Sequence, residues 1–280
     1  MKRELNRTQL IEQSITKTYR KEIWTPFIGA VKHYKLIEKN DRIAVCISGG
    51  KDSMLLALMM KMLNRVSEVP FELVFLSMNP GYNEENAKKI EENARILELD
   101  LEKFSTDIFN VSEKQTKNPC YLCAKMRRGH LYAKARELGC NKIALGHHFS
   151  DVIETTVMAM FYGAQLQAMP PMLRSTNYEG MSLIRPLYRV HEEDIIRWAK
   201  HNDLHFIACA CSMTEKSVID ENASKRKEIK NLIKKLKKTN PDIEKSIFNS
   251  IHNVCLDTFP GYKSEGKVHS FLERYEKNFK

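Results

Sequence analysis

The chain has 280 residues, of which 42% are hydrophobic and 29% are charged, a composition that suits one large soluble domain or a core domain with an appendage. Its longest apolar stretch, near residues 54–60, is far shorter than the ~18 residues of a membrane-spanning helix, and the N-terminus has no apolar signal core, so membrane and secreted proteins are excluded and a cytoplasmic protein is expected. The formal net charge of +10 favours a polyanionic partner, nucleic acid before membrane.

Residues 1–40 form a predicted N-terminal helical leader that is rich in basic residues. Its apolar residues recur at helical spacing: Leu10, Ile11, Ile15 and Tyr19. A second helical segment is expected from residue 24 to residue 37. We expect the leader to pack on the core that follows it, residues 41–212.

A glycine-rich loop separates the first predicted strand, residues 42–47, from an apolar helix over residues 54–63. The loop consists of Ser48, Gly49, Gly50, Lys51, Asp52 and Ser53. Its glycines permit positive φ and let a ligand approach the backbone closely. Because a helix N-terminus favours anions, the loop is predicted to bind phosphate, although it lacks the spacing of a Walker A motif. The alternative interpretation is a plain glycine turn between a strand and a core helix.

Strands and helices alternate through the rest of the core. Strands are expected over residues 71–77, 101–104 and 142–146, and helices over residues 84–97, 123–138 and 151–162. This alternation predicts an α/β fold, with a parallel sheet and helices on both of its faces. Ligands of such sheets bind at the carboxyl ends of the strands, where the glycine loop is joined by residues 77–79 and 146–148. The further candidates for ATP binding at these ends are Ser77, Met78, Gly146 and His147.

The pattern changes after Gly163. A strand over residues 183–186, a helix over residues 191–201 and a strand over residues 206–208 complete the core. Residues 213–280 form a predicted basic C-terminal region, which is lysine-rich and helical to residue 256. Its lysine run at residues 234–238 has two interpretations, a solvated helix face or a contact with nucleic-acid phosphates.

The seven cysteines are an odd number, which in a reducing compartment favours a metal or redox site over a disulfide framework. Cys120 and Cys123 form a C-x₂-C pair at the start of a predicted helix, where two thiolates can meet one metal ion. Cys209 and Cys211 form a second cluster, which permits a site of three or four thiolates. The remaining three cysteines are predicted to be buried small hydrophobes: Cys46, Cys140 and Cys255.

The order of these motifs resembles that of a known family. The loop 48–53 is similar to the signature of the PP-loop ATP pyrophosphatases, and segments 119–123, 126–129, 142–148, 169–171 and 184–187 occur in the order found in the TtcA family, the tRNA 2-thiocytidine synthetases. The resemblance covers roughly residues 20–256. It implies a PP-loop ATPase fold like that of the adenine nucleotide alpha-hydrolases, with ATP and Mg²⁺ as ligands and tRNA as partner. It also suggests cytidine 32 of the anticodon loop as the modified base, and a homodimer.

The resemblance further implies a [4Fe–4S] cluster held by three thiolates. Cys120 and Cys123 are two of the implied ligands and Cys209 is the third, with Cys211 as the alternative third ligand. The open fourth iron carries the sulfur that is transferred, which a cysteine desulfurase or free sulfide supplies. The family usually has C-x₂-C at the late position, whereas this chain has C-x-C, so either late cysteine can be the ligand.

In the implied reaction, the C2 carbonyl oxygen of the cytidine attacks the α-phosphate of ATP and pyrophosphate leaves. Sulfide then displaces AMP. Asp52 and Asp151 are the expected partners of Mg²⁺. Lys51, Arg127 and Arg128 are the candidates to stabilise charge on the phosphates.

One departure from the family concerns the expected Mg²⁺ site. The family usually carries two adjacent aspartates after the histidine pair, whereas this chain has Ser150 and Asp151. Glu154 lies one helical turn beyond Asp151 and is expected to face the same way. His147 and His148 have two interpretations. They contact the phosphates or transfer a proton, or they are histidines whose hydrogen bonds are satisfied at the end of a strand.

Three other functions are alternatives. The first is a related PP-loop enzyme, which either modifies another base or uses a different sulfur donor. In the latter case the cysteines would form a structural zinc site with four thiolate ligands: Cys120, Cys123, Cys209 and Cys211. The second is a tRNA lysidine synthetase, which shares the loop but has no use for paired cysteines. The third is a non-catalytic tRNA-binding protein, which predicts tRNA binding without release of AMP or pyrophosphate.

Overall fold

A computed structural model describes residues 4–108, 119–207 and 221–275 of the chain, apart from the side chains of residues 119–121 and 221–224. The chain divides into two compact units, residues 1–230 and residues 231–280. Among the residues that the structure describes, no helix combines the length and the apolar character needed to cross a membrane.

The first unit is built on a six-stranded sheet. Its strands are β1 (Arg42–Ile47), β2 (Glu72–Asn79), β3 (Leu101–Ser105), β4 (Lys142–Ala144), β5 (Met172–Arg174) and β6 (Ser182–Ile184), in the spatial order β3-β2-β1-β4-β6-β5. Neighbouring strands are parallel except for β5 and β6, which are antiparallel. The predicted parallel sheet is therefore confirmed, and β5 adds an edge strand that the sequence pattern did not indicate.

Seven α-helices of the first unit connect or flank these strands in the described part of the chain. They are α1 (Arg7–Thr16), α2 (Thr25–His33), α3 (Lys51–Val66), α4 (Glu84–Ile96), α5 (Pro119–Glu137), α6 (Phe149–Gly163) and α7 (Glu192–His201), and a π-helical turn (Arg20–Trp24) joins α1 to α2. All of the predicted core helices are present, and α3, α5 and α6 begin two to four residues earlier than predicted. The predicted strand over residues 206–208 is wrong for Phe206 and Ile207, which belong to no strand, while Ala208 lies outside the described residues.

The side chains of β1 show why helices cover both faces of the sheet. Successive residues of a strand point to opposite faces. Ile43, Val45 and Ile47 belong to a hydrophobic cluster that includes residues of α2, α3 and α7. Ala44 and Cys46 belong to a second cluster, with Tyr132 and Ala135 of α5. The β1 strand is thus buried on both sides, as the continuous apolar run 43–47 predicts.

The N-terminal leader packs on the first of these clusters. Ile11, Ile15, Ile23 and Phe27 are buried there, which accounts for the helical spacing of apolar residues. Leu10 is 53% exposed, so it does not share the buried face.

The basic C-terminal helix α8 (Glu221–Thr239) begins in the first unit and ends in the second. The second unit continues with α9 (Ile243–Ser250), a 3₁₀ turn (Leu256–Thr258), the antiparallel hairpin β7 (Gly261–Ser264) and β8 (Lys267–Ser270), and α10 (Leu272–Tyr275). Lys237 of α8 pairs with Glu244 of α9, nitrogen to oxygen 2.7 Å. The lysine-rich helices are confirmed over their described residues, and the hairpin was not predicted.

Candidate active site

The glycine-rich loop forms a strand–turn–helix with a fixed internal geometry. β1 ends at Ile47, and Gly50 is the N-cap of α3 in an extended conformation. Ser53 Oγ accepts a hydrogen bond from the backbone N–H of Ser48 (3.2 Å) and donates to the carbonyl of Gly50 (2.9 Å). The loop is therefore held by its own serine, and Gly50, which has no side chain, provides no cap for the first N–H groups of α3, which leaves them for a ligand.

Gly49 is required by backbone geometry and by space, and Gly146 by space alone. Gly49 has φ +84°, and a Cβ there would lie 2.5 Å from Ile90 and 2.7 Å from Ile207. At Gly146, just beyond β4, a Cβ would lie 3.0 Å from the carbonyl carbon of Asp52 and 3.0 Å from the nitrogen of Ser53. The end of β4 thus contacts the backbone of the first turn of α3, and only glycine permits this approach.

A cavity of about 500 Å³ opens at the carboxyl ends of the parallel strands, next to the loop. It brings together nine of the predicted site residues: Ser48, Gly50, Asp52, Ser53, Met78, Arg128, Gly146, His147 and Asp151. The predicted residues Gly49, Lys51 and Ser77 do not line it. Tyr82, Arg127, Met169 and Arg185 are further lining residues, and of these only Arg127 was singled out from the sequence.

Asp52 presents an unsatisfied carboxylate oxygen at this cavity. Its Oδ2 accepts a hydrogen bond from Lys51 Nζ at 3.1 Å. Its Oδ1 is buried and has no hydrogen-bond partner within the described part of the chain. His148 Nε2 lies 3.7 Å from this oxygen, too far for a hydrogen bond. A buried anionic oxygen without a donor is costly unless a cation or donor reaches it.

Lys51 lies on the other side of the loop. Its Nζ is 3.1 Å from Glu192 Oε1, and it lines a second cavity of about 590 Å³ that also includes Glu192 and Phe206. Lys230 of α8 donates to the second oxygen of Glu192. Burial opposes ionisation of Glu192, but the hydrogen bond from Lys230 and the charge of Lys51 outweigh it and lower the pKa of Glu192 to about 2. Glu192 is therefore a carboxylate with two ammonium partners.

The two adjacent histidines have different surroundings. His148 is the N-cap of α6: its Nδ1 accepts from the backbone N–H of Asp151 (3.3 Å), and Asp151 Oδ2 accepts from the backbone N–H of His148 (3.1 Å). This capping geometry supports the interpretation of His148 as a histidine satisfied at a strand end. His147 lines the cavity, and burial lowers its pKa to about 4. The imidazole of His147 is therefore uncharged at neutral pH. Its Nδ1 is buried and has no partner among the described residues, so this nitrogen can donate or accept one hydrogen bond, depending on the tautomer.

Asp151 and Glu154 do face the same way, and Arg226 of α8 reaches both. Arg226 Nη1 is 3.0 Å from Asp151 Oδ1 and 3.9 Å from Glu154 Oε2. Burial opposes ionisation of Asp151, but the neighbouring histidines, a backbone N–H and Arg226 together lower its pKa. Burial raises the pKa of Glu154 to about 7. Ser150, which stands where the TtcA family usually has an aspartate, accepts a hydrogen bond from the backbone N–H of Glu192 at 3.3 Å and so ties α6 to the start of α7.

Only part of the cysteine arrangement falls within the described residues. Positions 120 and 123 lie one turn apart at the start of α5, and the side chain of Cys123 is half-buried. The side chain of Cys120 and the whole of Cys209 and Cys211 lie outside the described residues. Among the side chains that are described, no group of three or more His, Cys, Asp or Glu could hold a metal ion.

Cys46, Cys140 and Cys255 were all predicted to be buried. Cys46 and Cys140 are buried, and the prediction is confirmed for them. Cys255 is exposed, so the prediction is wrong there, because it lies in the segment between α9 and the 3₁₀ turn and joins no apolar cluster among the described residues. Cys46 lines the first cavity, and burial raises the pKa of its thiol to about 12, which keeps it protonated at neutral pH.

Comparison with known proteins identifies relatives of most of the chain. Residues 12–217 match the model of the PP-loop domain family. A tRNA-cytidine(32) 2-sulfurtransferase of Citrifermentans bemidjiense is 36% identical over 229 residues, which are 80% of this chain and 87% of the relative. The protein of the same description from Geotalea daltonii is 36% identical over 249 residues, 88% of this chain and 94% of the relative.

A solved structure shares the fold. It is the U34-tRNA thiolase NcsA from Methanococcus maripaludis with its [4Fe-4S] cluster, which is 20% identical and superposes with a TM-score of 0.66 over 91% of this chain and 87% of that one. At this identity the match supports the architecture of the sheet and its helices.

Proposed function

The chain belongs to the PP-loop family, and within it to the TtcA family of tRNA-cytidine(32) 2-sulfurtransferases; from this membership we propose that it catalyses the ATP-dependent thiolation of a cytidine in tRNA. The observation that carries the proposal is the first cavity, in which the glycine-rich loop, an unsatisfied aspartate oxygen and two adjacent arginines meet. This combination suits a nucleoside triphosphate and a reaction at its phosphates.

The triphosphate would lie on the first turn of α3. The N–H groups of that turn would bind its phosphate oxygens, and Ser48 and Ser53, which line the cavity, would add hydroxyl groups beside them. The adenine ring would lie toward Met78, near the carboxyl end of β2, and Tyr82, which follows that strand; both line the cavity. Backbone groups of residues 77–79 would supply its hydrogen bonds.

The residues of the cavity fit a magnesium ion. Asp52 Oδ1 is buried and lacks a donor, and carboxylate oxygens are the ligands that Mg²⁺ prefers. Asp52 would hold the ion, with Asp151 as a second carboxylate of the same cavity. When bound, Mg²⁺ would neutralise charge on the phosphate oxygens.

The reaction would have two stages. The C2 oxygen of the cytidine attacks the α-phosphorus of ATP, the bond to the β-phosphate oxygen breaks, and pyrophosphate leaves. Sulfide then adds at C2, the C–O bond breaks, and AMP leaves with the former carbonyl oxygen. Arg127 and Arg128 are fixed cations of the cavity that would stabilise the charge on the phosphates in the first stage. Lys51 would act indirectly, since it contacts Asp52 and Glu192 on the other side of the loop.

The cysteines would supply the sulfur site. Cys120 and Cys123 occupy positions one helical turn apart, and thiolates are the usual ligands of iron–sulfur clusters. Together with Cys209, or with Cys211 in its place, they would hold a [4Fe–4S] cluster, whose remaining iron would supply the sulfur to be transferred. A cysteine desulfurase or free sulfide would provide that sulfur.

The proposal is tested with anaerobically purified protein, ATP labelled at the α-phosphate, free sulfide and a tRNA transcript. We expect AMP and 2-thiocytidine to form only when tRNA is present, and Asp52→Asn to abolish both products. Asp100→Asn, at an exposed aspartate before β3, is the matched control and should leave them unchanged. Binding of tRNA without AMP or pyrophosphate would overturn the proposal in favour of a non-catalytic tRNA-binding protein, and full activity of Asp52→Asn would overturn the role of Asp52.

A further inference from the structure

Arg185 is a buried cation in the wall of the first cavity. It follows directly on β6, it is only 7% exposed, and it lines the cavity together with Leu183 and Met169. Burial lowers its pKa to about 10, so the guanidinium is still charged at neutral pH. Its place in the Ile-Arg-Pro-Leu segment, residues 184–187, was visible in the sequence but carried no role there.

The hydrogen bonds of Arg185 are incomplete. Its Nη1 donates to the carbonyl of Pro170, and its backbone N–H donates to the carbonyl of Pro171 at 2.9 Å, which fixes the side chain against the loop that precedes β5. Its Nε is buried and has no acceptor within the described part of the chain. No carboxylate of the described residues forms an ion pair with it. A buried charge of this kind is costly unless a ligand supplies the missing acceptor.

The backbone of Arg185 lies apart from the glycine-rich loop, while its guanidinium interacts electrostatically with Arg128 and Asp151 in the same cavity. The glycine-rich loop follows β1, and the order β1-β4-β6 places the end of β6 two strands away. Neighbouring strands are ~4.8 Å apart, so this distance is about 10 Å. The expected adenine position, at Met78 near the carboxyl end of β2, lies on the opposite side of the loop. An acceptor on the second substrate fits this position of the Arg185 backbone, two strands from the loop.

The walls around Arg185 suit a flat ring with acceptors on one edge. Leu131, Leu145 and Leu183 line the same cavity and provide apolar surface. A cytosine presents two adjacent acceptors, O2 and N3, and a guanidinium presents two parallel donors in a matching fork. A uracil presents an N3–H donor in place of the second acceptor, which would meet a guanidinium N–H. Bases of single-stranded RNA loops are commonly read on this edge.

We propose that Arg185 reads the O2/N3 edge of the target cytidine and makes the site select cytidine over uridine. The inference rests on the proposed function. One lone pair of O2 would bond to Arg185 and leave the other free to attack the α-phosphorus. Arg185 thus binds the base that is modified, and Arg127 and Arg128 act on the nucleotide.

The test compares two tRNA transcripts, which carry cytidine or uridine at the modified position, in tRNA-dependent AMP formation by the anaerobically purified enzyme supplied with free sulfide. For Arg185→Met we expect kcat/KM with the cytidine transcript to fall by about tenfold or more, the range of one hydrogen bond to a charged group. The preference for cytidine over uridine should shrink by a similar factor, and the Kd for ATP should stay within about twofold of wild type, because the proposed acceptor of Arg185 belongs to the base and not to the nucleotide.

Two further variants control for folding and for charge. Arg189→Met changes a nearby arginine that stacks over Tyr34 and lines neither cavity, and it should keep the preference. Arg185→Lys keeps a cation but lacks the fork, so it should bind ATP normally and still lose discrimination. It serves as the deciding variant should Arg185→Met fail to fold.

Three outcomes would overturn the inference. An unchanged preference in Arg185→Lys would show that the fork does not read the base. A large loss of ATP affinity in Arg185→Lys would assign the guanidinium to the nucleotide. A wild-type enzyme that forms no AMP with either transcript would overturn the proposed function and this inference with it, whereas the first two outcomes leave the proposed function intact.

Discussion

The ammonium nitrogen of Lys51 lies 3.1 Å from the carboxylate of Glu192, and this ion pair holds the lysine of the glycine-rich loop outside the first cavity. Glu192 is in the first turn of α7 and also accepts from Lys230 of α8. The pair therefore connects the loop with two helices that are distant from it in sequence. The lysine of the motif has a structural partner in this arrangement, whereas the arginines are the cations that line the cavity.

Replacing Glu192 should weaken the fold in a pH-dependent way. Glu192→Gln removes the charge that pairs with both lysines. Since the pKa of Glu192 is about 2 in the folded protein, below its ordinary value of 4.5, its contribution is present above about pH 4.5 and is lost as the pH falls toward 2. Because the pair is partly exposed, we expect a loss of about 1 kcal/mol at pH 7. Urea unfolding at pH 7 and pH 3 should show this loss diminishing at pH 3.

Glu179→Gln, at an exposed glutamate in the loop before β6, is the control and should change stability little at either pH. A Glu192→Gln penalty of equal size at pH 7 and pH 3 would argue against the charge as its source.

A methyl group at Gly146 should disturb nucleotide binding. In Gly146→Ala the new Cβ would press on the backbone of Asp52 and Ser53 at 3.0 Å, and backbone atoms cannot rotate away. We expect the affinity for ATP to fall by about tenfold or more, because displacements of about 1 Å in positioned groups are costly. Gly129→Ala is the control: nothing lies within 4 Å of its Cβ, and it should leave ATP affinity unchanged while stabilising α5 by about 0.5–1 kcal/mol. Equal ATP affinities for the two variants would contradict the packing argument.

Metal analysis separates the two cysteine hypotheses. We expect about four irons and matching acid-labile sulfide in the anaerobically purified protein. Cys120→Ala and Cys209→Ala should lose them, while Cys211→Ala should keep them. Cys255→Ser, at an exposed cysteine, is the control and should retain full iron. Zinc in place of iron, lost with either late cysteine, would instead support a structural four-thiolate site.

Binding of tRNA should depend steeply on salt if the lysines of α8 contact phosphate. Lys234, Lys235 and Lys238 are exposed on this helix. Replacing all three by glutamine should reduce the slope of log K against log salt by about 2, since each phosphate contact in single-stranded nucleic acid contributes about 0.7. Fluorescence anisotropy with labelled tRNA at several salt concentrations measures the slope. Lys88→Gln, on α4, should leave it unchanged, and an unaltered slope in the triple variant would assign these lysines to a solvated face.

Much of the fold follows from local patterns in the sequence. The apolar run 43–47, the glycine pair 49–50 and the apolar stretch after Ser53 each lie within a window of about ten residues, and they predict β1, the loop and α3 without knowledge of the rest of the chain. Strand β5 was not predicted. It has only three residues, all of them exposed, so its sequence shows no alternation of apolar and polar residues. The strand predicted at residues 206–208 failed for a related reason. The backbone N–H of Ile207 donates to the carbonyl of Gly49 (3.3 Å), and its side chain packs on the loop. Residues 206 and 207 are therefore apolar because they pack on the loop, and not because they belong to the sheet.

The sequence alone determined the α/β class, the glycine-rich loop between β1 and α3, the spacing of the cysteine pairs and the family, because strand and helix periods, glycine positions and motif order can be read along the chain. The tertiary structure decided where the charged side chains point. Lys51 pairs with Glu192, and Asp151 pairs with Arg226, which is distant from it in sequence. Arg185 lines the cavity and is held by a hydrogen bond to the carbonyl of Pro170 on a neighbouring loop. A long charged side chain takes the direction in which its charge is compensated, and its partners become neighbours only when the sheet and helices have assembled.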